Sequence, residues 1–265
     1  MAKSTLVTLL TDFGTRDPYL PAMKGALLRL CPKAQIVDIT HDLATYDVLA
    51  GAFVLAQAAP QFPPQTLHVV VIDPGVGSQR NILAAEFGGQ RFLSPDNGVI
   101  SLVAEALPLE AMHVVQDKRY VPDDVSMTFH GRDIFAPVAA HLLSGLPMSQ
   151  LGPQPQKYLQ LDLPVALADE TSLKGQVIYI DHFGNLITNV SMAQIQSRFP
   201  NFDLLKVFCG QTEIGPLTGT YSFVPQGAAL ALINSMGLLE VAVNQGRACD
   251  ILGAGVGTPV ALRTE

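Results

Sequence analysis

The chain has 265 residues, of which 48% are hydrophobic and 15% charged, and its formal net charge is −7. That length buries a sizeable core in one large or two ordinary domains, and so apolar a composition excludes a disordered chain. The acidic balance argues against a nucleic-acid partner, which calls for a basic stripe, and no stretch approaches the roughly 18 apolar residues of a membrane span.

The opening MAKSTLVTLLTDFG meets Thr and Asp too soon for a signal peptide; it reads as a first strand, Thr5 to Leu10, and a cytoplasmic location is the expectation. Just after Pro18, Leu20, Met23, Leu27 and Leu30 repeat at helical spacing, which predicts a helix from Tyr19 to Leu30. A strand from Gln35 to Thr40, a helix from Asp47 to Ala58 and a strand from Leu67 to Ile72 follow. The last is apolar at every position except His68, as in a strand covered on both faces. Val99 to Leu107 and Ile134 to Leu143 read as further helices, and the alternation predicts an α/β domain with a largely parallel sheet.

Between about Leu151 and Leu173 the texture changes to a Pro-containing stretch without helical period, an extended linker. Beyond it lie short β-rich runs, GQVIYID, NLITNV, LLKVFCG, AALALIN, LLEVAVN and PVALR, separated by Gly, Pro and Asn. They predict a smaller all-β, barrel-like domain. The expected division is 1–165 and 166–265, with the change of texture near residue 170.

Cys31, Cys209 and Cys249 are odd in number and far apart, which suits core thiols. His41, His68, His113, His141 and His182 show no metal-ligand spacing, so no metal is expected. Polar residues gather instead at strand ends, where open α/β sheets bind ligands. Asp12 suits either the diol of a ribose or an N-cap or Asx turn, and Asp47 suits the first turn of a helix. Tyr46, on the loop between them, is a pocket wall or a packing residue.

In VVVIDPGVGSQR a buried strand ends on Asp73, with Arg80 seven residues on. The glycines match neither a Walker loop nor GxGxxG, which leaves a structural ion pair or an acid placed to act. MTFHGRDIF then sets His130, Arg132 and Asp133 ahead of a helix, with Asp133 a capping residue and His130 a base or donor. Acid, cation and imidazole together can position and polarise one water.

The strings TDFG, AMKG, DITHDL, IDPGVGSQR, PDNG, TFHGRDIFAP and DHFGNLITN together resemble the S-adenosyl-L-methionine hydroxide adenosyltransferases, hydrolytic relatives of fluorinase and chlorinase enzymes. The resemblance implies an N-terminal α/β domain, a C-terminal barrel-like domain and a homotrimer with active sites between subunits. The implied reaction turns the sulfonium substrate and water into adenosine and L-methionine without metal or organic cofactor. It implies that Asp12, with Phe13 beside it, meets the ribose diol, and that Tyr46 lies at the pocket wall. Asp181, Phe183 and Asn185 are implied to contact the methionine portion and adenine, Ser235 the methionine carboxylate, and Asn244 the adenine edge. Met236 stands where a relative carries Arg. Asp73, Arg80 and His130 match the hydrolytic members; Gly131 corresponds to the fluorinase's halide-binding Ser, and a chlorinase also has Gly there. The alternatives are a halide-using 5′-halo-5′-deoxyadenosine synthase and a sensor that binds without turnover.

Overall fold

Strands of alternating facing and helices of matching apolar stripe build the first half of the protein, seen in a computed structural model that describes residues 5–122, 124–169, 171–199 and 205–264. Two compact units, Met1–Leu161 and Asp162–Glu265, divide the chain.

The first unit runs β1 (Leu6–Thr11), α1 (Tyr19–Leu30), β2 (Gln35–Thr40), α2 (Val48–Ala58), β3 (Leu67–Val71), β4 (Ile82–Phe87), β5 (Gln90–Pro95), α3 (Ser101–Ala106) and β6 (Leu109–Val114). A π-helical turn, Gly131–Phe135, then leads into α4 (Ala136–Leu143). The six strands lie in the order β2-β1-β3-β5-β4-β6. The ladders of β1 with β2 and β3, and of β3 with β5, are parallel. Those of β4 with β5 and β6 are antiparallel, so the sheet is mixed where the sequence suggested a largely parallel one. The cause is local. Gly88 and Gly89 adopt φ of +55° and +74°, the left-handed pair that closes a two-residue hairpin, and only antiparallel neighbours can be joined so tightly.

Because side chains alternate along a strand, β1 and β3 each feed two cores. Val7, Leu9, Val69 and Val71 face Leu20, Met23, Leu27, Val138 and Leu142 of α1 and α4. Leu10, Val70 and Ile72 pack with Leu55, Val99 and Val103 on the opposite face. Each such side chain taken from water contributes about 1.5–3 kcal/mol. Helix α2 comes so close to the sheet that a Cβ at Gly51 would lie 2.2 Å from Ile72 Cδ1. Asp47 caps that helix rather than lying inside it, its carboxylate accepting from Ala50 N–H at 2.9 Å.

No helix or strand interrupts 152–166. The second unit then comprises β7 (Leu167–Ala168), β8 (Ser172–Ile180), β9 (Leu186–Ser191), α5 (Met192–Arg198), β10 (Lys206–Cys209), β11 (Thr212–Pro216), β12 (Ala229–Ile233), β13 (Leu238–Val243), α6 (Ala248–Ile251) and β14 (Pro259–Arg263). The run LLKVFCG begins at Leu204, which lies outside the described residues. The strands follow β11-β10-β14-β8-β9-β13-β12, with β7 paired to β8. Leu217, just past β11, bridges Ala231 of β12, and Thr218 N–H donates to the Ala231 carbonyl at 2.8 Å. The two ends of the sheet thereby meet, giving a nearly closed, barrel-like sheet around Val177, Leu186, Val190, Leu239, Val241 and Leu262. Among the described residues no helix is long and apolar enough to cross a membrane.

Candidate active site

Strands β1 and β3 pair in parallel with Thr11 opposite Val71, so Asp12 and Asp73 leave neighbouring strands at the same sheet edge. Asp73 is only 8% exposed. After it the chain turns twice, with Val76 N–H on the Asp73 carbonyl and Ser78 N–H on the Gly75 carbonyl, each at 3.1 Å. This returns Arg80 to the strand end, where its Nε donates to Asp73 Oδ1 at 2.6 Å and its Nη2 to Oδ2. Two parallel donors on one carboxylate fix both groups in a plane. The exit of β3 is pinned from behind by PDNG: Asn97 Nδ2 donates to the Ile72 carbonyl at 2.8 Å and its Oδ1 accepts from Val99 N–H at 3.2 Å.

His130 comes to the same place from a segment fifty residues further on and is 7% exposed. Its Nδ1 lies 3.1 Å from Arg80 Nη2. A guanidinium only donates, so Nδ1 is the acceptor and the proton of the neutral ring is assigned to Nε2. Burial, and then the Arg80 charge, lower the His130 pKa, while Asp73 and Asp133 oppose them. The imidazole is therefore neutral near pH 7.

Asp133 does not cap the following helix. Its carboxylate accepts from Arg132 Nε at 2.6 Å and from Ser126 N–H at 3.0 Å, tying down the loop ahead of His130. The Arg132 hydrogen bond holds its pKa below the usual carboxylate range. The π-helical turn, in which Ala136 N–H reaches back to the Gly131 carbonyl, inserts an extra residue directly after His130.

Asp12 is neither an N-cap nor an Asx turn: its Oδ2 accepts from Tyr46 N–H at 2.8 Å across 34 residues. Tyr46 sits at φ +67° and is 68% exposed, so the carboxylate holds a strained backbone in place. Behind Asp12, Thr11 Oγ1 meets His41 Nδ1 at 2.8 Å, and His41 Nε2 lies 3.2 Å from Asp38, which Lys24 engages at 2.6 Å. Phe13 leans over Gly131, where a Cβ would stand 3.0 Å from its ring, and forms an aromatic group with Tyr19 and Phe129. Asp12, Phe13, Tyr46, Asp73, Arg80, His130 and Gly131 thus belong to one unit, the first five on loops that follow its strands and the last two at the start of the π-helical turn.

In the second unit, Asp181 Oδ1 accepts from Asn185 N–H at 2.8 Å and Oδ2 from Asn185 Nδ2 at 3.0 Å, closing the turn between β8 and β9. That turn presents Phe183, 71% exposed. Ser235, exposed, and Met236 lie in the turn before β13, shaped by Asn234 Oδ1, which accepts from Met236 N–H at 3.0 Å and Leu238 N–H at 3.1 Å. Asn244 Nδ2 donates to the Val224 carbonyl at 2.7 Å. The register sets Leu186 opposite Val241 and Leu238 opposite Ser191, so the Asp181 turn and Asn244 share one end of β13 while Ser235 and Met236 lie at the other.

Between these ends is Glu240, 3% exposed, which sequence reasoning missed. Tyr221 Oη donates to its Oε1 at 2.8 Å and Asn234 Nδ2 to its Oε2 at 3.2 Å. Burial raises the Glu240 pKa, and the Asp181 charge adds to this; burial and Glu240 push Tyr221 up to about 12. The signal was an acid in the apolar run LLEVAVN. Among the described residues no group of three or more His, Cys, Asp or Glu side chains is arranged to hold a metal ion.

Residues 7–152 match the SAM hydroxide adenosyltransferase N-terminal domain and residues 175–261 its C-terminal domain. The chain is 37% identical over 256 residues to an (R)-S-adenosyl-L-methionine hydrolase of Salinispora tropica, covering 96% of this chain and 95% of that one. A fluorinase of Actinoplanes is 27% identical over 274 residues, covering 90% and 91%. Among solved structures, an uncharacterized conserved protein from Thermotoga maritima superimposes with a TM-score of 0.90 at 35% identity, covering 97% of this chain and 99% of that one. With both domains matched in order across nearly its whole length, the chain belongs to the SAM hydroxide adenosyltransferase family.

Proposed function

We propose that the protein hydrolyses S-adenosyl-L-methionine to adenosine and L-methionine by in-line attack of water at the ribose C5′. The observation that carries this reading is Arg80, its side chain 10% exposed, which donates to Asp73 and to His130 Nδ1 at once. Methionine leaves a sulfonium as a neutral thioether and needs no acid, so the demand falls on the nucleophile. Asp73 retains lone pairs beyond those used by Arg80 and is the proton acceptor, while His130 Nε2–H donates to the water oxygen and fixes its direction. Positioning and base assistance of this kind contribute roughly 10²- to 10⁴-fold in rate for the proton transfer.

Family membership supports the remaining assignments. Asp12 takes the ribose hydroxyls, with Phe13, Tyr46 and Gly131 beside the reacting carbon. Asp181, Phe183 and Asn185 take the methionine portion and adenine, Ser235 and Met236 the carboxylate, and Asn244 the adenine edge. No metal or organic cofactor takes part, and the enzyme works in the cytoplasm as a homotrimer with active sites between subunits. The hydrolytic relative, at 37% identity against 27% for the fluorinase, favours water over halide.

The test is to incubate purified protein with the substrate in H₂¹⁸O and in added chloride or fluoride. The expected products are methionine and adenosine carrying ¹⁸O at the 5′ hydroxyl, with turnover unaffected by a chelator. A halogenated nucleoside, or binding with no product, would overturn the proposal.

A further inference from the structure

We infer that Glu240 is a positioning residue for the end of the substrate that carries the amino-acid carboxylate, acting through Asn234. The inference rests on the reading that the turn bearing Ser235 and Met236 receives that end. Glu240 is almost wholly buried in β13, yet both of its carboxyl oxygens are taken by neutral donors, Tyr221 Oη and Asn234 Nδ2. A buried acid held, among the described residues, by neutral donors alone is costly to keep for packing.

What it holds explains its place. Asn234 spends its Oδ1 on Met236 N–H and Leu238 N–H, and its backbone closes the same turn, with Asn234 N–H on the Leu238 carbonyl and Gly237 N–H on the Asn234 carbonyl, each at 2.9 Å. Its amide orientation is thereby fixed, and its Nδ2 has to point at an acceptor, which Glu240 supplies. On the other side Glu240 fixes Tyr221, in the 3₁₀ turn Tyr221–Phe223, so one carboxyl group ties two loops to the strand between them. The charged or titratable groups acting on it are Asp181 and Tyr221.

The geometry separates position from charge. In Glu240→Gln the amide oxygen accepts from Asn234 Nδ2, and the Tyr221 hydroxyl rotates to accept from the amide nitrogen, so the turn keeps its support. In Glu240→Met the volume remains and both anchors go. Steady-state hydrolysis should show E240Q within about twofold of the parent KM, and E240M with KM raised about tenfold, as expected for a lost hydrogen bond to a fixed group. Across both, kcat should hold within about twofold, and calorimetry should give an unchanged affinity for adenosine, which lacks the amino-acid end. Asn234→Ala, which removes that tie together with the Oδ1 bonds to Met236 and Leu238 N–H while leaving Glu240 and Tyr221 intact, should raise KM at least as much as E240M and keeps the test open if E240M fails to fold. An unchanged KM in N234A overturns the inference. So does a parallel loss of kcat and adenosine affinity, which marks general unfolding. Ser235→Ala tells the two readings apart. If it leaves KM unaltered, the turn does not receive the substrate; if it raises KM while N234A does not, only the role of Glu240 falls.

Discussion

Arg80 Nη2 stands 3.1 Å from His130 Nδ1, and this contact assigns the tautomer of the imidazole. A second proton on the ring would occupy Nδ1 and set two donors face to face, with the Arg80 charge adding repulsion. Burial and Arg80 together lower the His130 pKa below 6.5. The neutral form is therefore present above that depressed value and is lost as pH falls through it. We expect kcat/KM to hold steady from pH 8 down through about 6.5, the ordinary histidine value, and to decline only below it. The limb should flatten in His130→Asn, which keeps a donor and removes the titration. A decline already under way at neutral pH in the parent would contradict the assigned tautomer.

Removing the charge of Asp73 leaves the half-buried Arg80 without its anionic partner, yet the amide of Asp73→Asn can still accept from Nε. The substrate pocket should persist and the proton acceptor should not. Turnover is expected to fall by roughly 10²- to 10⁴-fold, with the substrate dissociation constant altered less than about fivefold. Single-turnover rates set beside calorimetric binding check both parts.

Much of the frame was legible because periodicity reports burial directly. The bounds of α1 and β2 match those expected, and β3 is buried throughout. The β4–β5 hairpin escaped notice because Ala84, Ala85 and Glu86 read as readily helical and its signal rests on two glycines. Asp73, Arg80 and His130 stood out as polar residues at the ends of apolar runs. The contact between Arg80 and His130 joins residues fifty apart and is set by the packing of the π-helical turn, which no local pattern encodes. Asp133 misled for a related reason: its place before an apolar run suggested a cap, whereas its partners are Arg132 and Ser126.

Gly77 couples the two loops of the site. It lies at φ +80°, and a Cβ there would stand 2.6 Å from the Met127 carbonyl oxygen, so Gly77→Ala must displace either its own turn or the loop that leads to His130. The left-handed backbone alone costs about 1 kcal/mol for a residue with a side chain, and the clash brings the total to about 1–3 kcal/mol. Urea unfolding should show that loss, and turnover should drop at least about tenfold because Arg80 and His130 shift relative to one another. Turnover at the parent level would show that the two loops adjust independently.

Glu240 makes stability itself pH-dependent. Burial raises its pKa above the ordinary value of 4.5, so between 4.5 and the folded-state value the native protein binds more protons than the unfolded chain. Stability therefore falls as pH rises through that window, and the full cost of ionising a buried acid near Asp181 is present above it. Glu240→Gln is neutral at every pH and keeps both hydrogen-bonding neighbours. Relative to the parent, its melting temperature should be higher at pH 8, and the difference should shrink on acidification and vanish below about pH 4.5, where both proteins carry a neutral group at this position. Differential scanning calorimetry across that range reads the effect; a difference that is constant with pH would mean that packing, not ionisation, separates the two.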